Sequence, residues 1–139
     1  MSLSNVFDIA GSALTAQSVR LNTISSNLAN VDTTATNPED VYQARYPVFS
    51  TVYENSLDGQ TSGSVRVEDV VEGNAAPLEI FDPNNPLANE DGYIYKSNIN
   101  AVDEMVNMIS ASRTYQSSIE AMNTTRELMV QTLSLGRGN

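Results

Sequence analysis

The chain has 139 residues and a net charge of −10, with seven Lys and Arg against seventeen Asp and Glu. Phosphate backbones and anionic lipid surfaces repel such a chain, so nucleic acid is not expected as a partner. With no Cys and no His, the chain has no thiol nucleophile, disulfide, imidazole base or Cys/His zinc site, so neither enzymatic activity nor a cofactor is expected.

The first segment carries Phe7, Ala10, Leu14, Gln17, Leu21, Ile24, Leu28 and Val31 at alternating intervals of three and four, the a/d seam of a coiled-coil helix. Its first basic residue is Arg20 and it has no apolar block of signal-peptide length, so a cleaved secretory signal is not expected. No apolar run approaches a membrane span, and direct membrane insertion is not expected either. The helical pattern runs into "SSNLANVDTT", Ser25 to Thr34, where Asn27, Asn30 and Asp32 favour turns and caps over helix interiors. Ser26, Asn27, Ala29, Asn30 and Thr33 are expected to form a helix-end joint, with Asn27 and Asn30 bonding the backbone groups freed there.

Residues 34–98 change character. All five Pro lie here, and eleven acids against three bases give −8 of the total charge. "YQARYPVFSTVYE" and "SVRVEDVVE" alternate apolar and polar positions and predict strands, as do the shorter "LEIF" and "YIY" around the turn signals "FDPNNP" and "NEDG". Gly59 to Gly63 reads as a loop tip. The acidic turn Asp82 to Gly92 does not fit an EF-hand, because Pro86 occupies a ligand position and no helices flank it. Glu68 and Asp69, adjacent on a predicted strand, point to opposite faces and make a poor acid/base pair. Asn123-Thr124-Thr125 fits a glycosylation pattern but lies inside a helical repeat.

The last segment repeats the three-four spacing at Met105, Met108, Ser112, Tyr115, Ile119, Met122, Arg126, Met129 and Leu133. Its helix is expected to begin near Asn98 or Asn100 as N-cap, with Asp103 and Glu104 at the positive end of the helix dipole, and to stop at Gly136. The fold class is therefore α+β: long N- and C-terminal helices packed as a coiled-coil-like pair, with a small β-rich insert between them. The organisation is residues 1–33 as N-terminal helix and joint, 34–98 as acidic insert and 99–139 as C-terminal helix. Gln17, Ser112 and Arg126 interrupt the seams, so the two helices are expected to need contacts with other subunits, while the insert folds by itself.

"NVFDIAGSALTAQSVRLNTISSNLANVDTT", "NPLANEDGYI" and "VDEMVNMISASRTYQSSIEAMNTTRELMVQTLSLG" resemble the axial proteins of the bacterial flagellum, and most closely its proximal rod members. The family's "SNLAN" signature falls on Ser26, Asn27, Leu28, Ala29 and Asn30, with Thr33 following and Ser25 where members often carry Ala. The resemblance implies a rod subunit crossing the periplasm, exported through the flagellar type III apparatus without a cleaved signal. Implied partners are further copies of the chain, other rod proteins, and the export-gate and inner-membrane ring components at the rod base. The assembly interface would run along Phe7, Leu14, Leu21, Ile24, Leu28, Val31, Met105, Met108, Tyr115, Ile119, Met122, Met129 and Leu133. The rival from the residues alone is a cytosolic coiled-coil adaptor or export chaperone, which would form a discrete oligomer in place of an open-ended one. A carboxylate-dependent hydrolase needs two converging acids that no spacing here predicts.

Overall fold

The computed structural model describes residues 3–55 and 61–136. In chain order it contains α1 (Leu3–Ala29), β1 (Thr34–Ala35), a 3-10 turn (Pro38–Asp40), β2 (Arg45–Asn55), β3 (Thr61–Glu72), β4 (Leu78–Phe81), β5 (Tyr93–Lys96) and α2 (Ala101–Gly136). This is the expected α+β arrangement of two long terminal helices around a β-rich middle.

The helices run antiparallel. Asn27 of α1 bonds Glu104 in the first turn of α2, and at the other end a Cβ on Gly11 would stand 3.7 Å from the Met122 methyl. Small residues allow the close approach: Ala111 of α2 has no exposed surface, and Gly11 of α1 stands beside Met122. At 1.5 Å rise per residue, α1 is about 40 Å long and α2 about 54 Å. Counting eight residues back from Gly11 reaches Leu3, and eight forward from Met122 reaches Val130, so the end of α2 outruns the start of α1.

The buried line of α2 differs from the expected seam. Glu104, Ala111 and Thr125 are buried, with Met108, Tyr115, Ser118, Met122 and Met129 half-buried, whereas Met105, Ile119, Arg126 and Leu133 are exposed. Both lines keep the three-four repeat and share Met108, Tyr115, Met122 and Met129. The expected seam, read from spacing, took in the larger Met105, Ile119, Arg126 and Leu133. Close packing against α1 favours the small ones, because a helix pair approaches most closely where its side chains are short.

The β-rich middle is divided between two sheets. β2 and β3 form an antiparallel hairpin that lies along α1, where Val65 N–H donates to Ser12 Oγ at 3.2 Å. β1, β5 and β4 form a second antiparallel sheet in that order, which brings the two ends of the middle segment together. The hairpin therefore rests on the N-terminal helix.

Several local expectations change. Gly63 lies within β3 opposite Tyr53, and Gly59 and Gln60 of the expected loop tip lie outside the described residues. In the hairpin Val48 faces Asp69 and Phe49 faces Val67, leaving Glu68 as the extra residue of a β-bulge. Strict alternation lapses across a bulge, so the opposite-face reasoning for Glu68 and Asp69 does not apply. Both carboxylates are exposed, and Asp69 Oδ1 accepts from the Val70 N–H at 2.8 Å. Between β4 and β5, Gly92 takes φ +82°, and a Cβ there would stand 3.0 Å from the Phe81 ring. At the start of α2 the cap is Asn100, whose Oδ1 accepts from Val102 N–H at 3.0 Å, while Asn98 donates to the Ala76 carbonyl. Residues beyond Gly136, which would complete its C-cap, lie outside the described residues.

Candidate assembly joint and contact surface

α1 ends in a network of hydrogen bonds built from the Ser25 to Thr34 stretch. Asn30 Nδ2 donates to the Ser26 carbonyl at 2.8 Å, satisfying a group freed at the helix end, and Thr33 Oγ1 donates to the Asn30 carbonyl at 2.7 Å. Asn27 does something different from the expected capping. It is 1 % exposed, and its side chain leaves the helix to bind two other segments. Its Nδ2 donates to the Arg45 carbonyl at 2.9 Å and to Glu104 Oε2 at 3.2 Å, and its Oδ1 accepts from Arg45 N–H at 2.8 Å and Tyr42 O–H at 3.0 Å. Because the Tyr42 proton is committed to Asn27, Ser26 Oγ donates to the Tyr42 oxygen at 3.0 Å. The physical reason is position: Asn27 lies on the face of α1 that meets both β2 and α2, where an amide can bind a strand edge and a carboxylate together.

The far end of the middle segment closes on the same place. Ser97, 1 % exposed, takes its N–H to the Thr33 carbonyl at 3.2 Å and its Oγ–H to the Tyr42 carbonyl at 2.9 Å. Two ion pairs flank the joint, Lys96 with Asp32 at 2.7 Å and Arg45 with Glu72 at 3.1 Å. The Arg45 guanidinium also lies 5.6 Å from the Tyr42 ring centroid. Both pairs are largely solvent-exposed and contribute little each.

Sequence reasoning placed Ser26, Asn27, Asn30 and Thr33 at this joint and missed Tyr42, Arg45, Ser97 and Glu104. Ala29, the last residue of α1, is exposed and takes no side-chain part. Glu104 was not set apart by periodicity, since positions 104, 108, 111, 115, 118, 122, 125 and 129 fit the three-four repeat of α2 only as well as the expected seam does. Nothing local marks Tyr42 or Ser97, because their partners lie far along the chain.

The residues named for an assembly interface fall into three groups. Ile24 is buried within the chain's own fold. Leu14, Leu21, Leu28, Met108, Tyr115, Met122 and Met129 are half-buried along the two helices, and Val31 is half-buried in the turn past the end of α1. Phe7, Met105, Ile119 and Leu133 are exposed, and Val102, Val106, Ile109, Leu128, Val130 and Leu135 add further apolar surface on α2. Among the described residues no group of three or more acids is placed to hold a metal ion, and no helix is long and apolar enough to cross a membrane.

Two terminal helices joined at one buried network, with apolar surface left open along the longer one, have the build of a structural subunit of an axial assembly. The family model described as flagella basal body rod protein matches residues 7–35, which hold α1 from Phe7 onward, its joint and β1. That described as flagellar basal body rod FlgEFG protein C-terminal matches residues 90–135, which hold β5 and α2. The flagellar basal-body rod protein FlgC of Escherichia coli O6:H1 is 47 % identical over 137 residues, spanning 99 % of this chain and 100 % of that protein. FlgC of Salmonella typhimurium is 46 % identical over 137 residues with the same coverage, and FlgC of Buchnera aphidicola subsp. Baizongia pistaciae is 36 % identical over 141 residues. The chain belongs to the FlgC family of flagellar basal-body rod proteins. It is a structural subunit of the rod and assembles with other rod components.

Proposed function

We propose that the chain polymerises through α1 and α2, with further copies of itself and with other rod proteins, into the part of the drive shaft that crosses the periplasm. The observation that carries this is the apolar surface of α2. Val102, Met105, Val106 and Ile109 near its start, and Leu128, Val130, Leu133 and Leu135 near its end, are exposed in the single chain. So many large apolar side chains on one helix of a soluble chain call for a covering partner. Export precedes assembly, through the flagellar type III apparatus and without a cleaved signal. A chain with no disulfides crosses in extended form and refolds beyond the export channel, where neighbours cover its exposed apolar surface. At the rod base its neighbours are export-gate and inner-membrane ring components.

Basal bodies purified from cells carrying Met105→Asp or Ile119→Asp at native expression test this. Rods are expected to be absent and swimming lost, with the variant chain still exported. Normal swimming with both variants would remove α2 from the interface.

A further inference from the structure

We propose that Glu104 is a positioning residue for the β2–β3 hairpin, acting through Asn27, so that the start of α2 and the start of β2 lock as one unit. The two residues of the latch are 77 positions apart in sequence, and Glu104 bonds no atom of β2 among the described residues. Asn27 Oδ1 accepts from Arg45 N–H and its Nδ2 donates to Arg45 C=O, so the side-chain amide stands in for a peptide group on the edge of β2 that does not face β3. That arrangement needs the amide in one of its two flipped orientations. A carboxylate only accepts hydrogen bonds, so Glu104 Oε2 demands that Nδ2 face it, and this is the orientation that fits Arg45.

Burial makes the coupling consequential. Asn27 is 1 % and Glu104 5 % exposed, so water does not readily replace a lost partner, and an amide left one acceptor short loosens its hold on the strand. Tyr42 stands on the opposite side of the same amide and should feel the converse. A displacement of α2 would thus reach the hairpin through one side chain. The latch belongs to the single chain, so its test is independent of how subunits assemble.

Amide hydrogen exchange by NMR on the full-length monomer decides it. Glu104→Ala is expected to speed exchange of the Arg45 N–H about tenfold, the value for loss of about 1.4 kcal/mol. Glu104→Gln keeps a carbonyl acceptor for Asn27 and should restore exchange close to that of the unaltered chain. Faster exchange confined to the first turns of α2, with Arg45 unchanged, would overturn the proposal, as would Glu104→Gln matching Glu104→Ala. Should Glu104→Ala fail to fold, Tyr42→Phe supplies the reverse test: it must speed exchange in the first turn of α2, and a folded Tyr42→Phe chain with that turn unchanged refutes the latch.

Discussion

The side-chain amide of Asn27 pairs with the backbone N–H and C=O of Arg45 at 2.8 and 2.9 Å, as a neighbouring strand would. Asn27→Ala removes this pair together with the bonds to Tyr42 and Glu104, leaving several buried groups unmet. The expected cost is roughly 2 to 4 kcal/mol. Asn30→Ala loses one partly buried bond to a helix-end carbonyl and should cost about 1 kcal/mol. Urea unfolding of the two variants checks the difference, and equal losses would remove Asn27's special place.

Exposed and buried positions of α2 should separate assembly from stability. Met105→Asp alters a side chain 46 % exposed, so monomer unfolding should shift by less than about 0.5 kcal/mol while rod formation fails. Ala111→Met forces volume into a site with no exposed surface and should destabilise the monomer by roughly 1 to 3 kcal/mol. Calorimetry on both proteins, alongside swimming assays, reads the two effects separately.

Gly92 carries a backbone conformation that side chains resist. Gly92→Ala adds a Cβ at φ +82° that meets the Phe81 ring at 3.0 Å and Pro83 at 3.2 Å. The expected loss is roughly 1 to 3 kcal/mol, seen as a lower denaturation midpoint and as an altered Phe81–Tyr93 ring contact, now 5.2 Å between centroids.

Exchange in the free monomer should follow packing and not the division into helices and insert. The β2–β3 hairpin rests on α1, so the two should protect one another, while α2 beyond Val130 lacks α1 opposite it and should exchange fast. Slow exchange through Leu133 in a verified monomer would mean that the end of α2 finds a partner within its own chain.

The exposed pairs offer a contrast. Glu72→Gln removes the partner of Arg45, yet with side-chain exposures of 49 % and 58 % the change should cost less than about 1 kcal/mol and fade in salt. Thermal melts at low and high ionic strength test this directly.

The amino-acid sequence by itself determined the two long helices, the four longer strands and the helix-end position of Ser26 to Thr33, because periodicity and turn chemistry act over a few residues. The start of α2 was legible for the same reason as Asn98 or Asn100, and the cap geometry at Val102 N–H chose Asn100. Only the tertiary structure decided which face of α2 meets α1, since the Met105–Ile119 line and the Glu104–Ala111–Thr125 line share a repeat, and the second is chosen by the close approach that Ala111 allows and by the bond from Asn27 to Glu104. The role of Asn27 was likewise beyond local reading. An asparagine near a helix end suggests a cap, but its partners, Arg45 and Glu104, are 18 and 77 residues away, and only the folded chain brings them within reach of one amide.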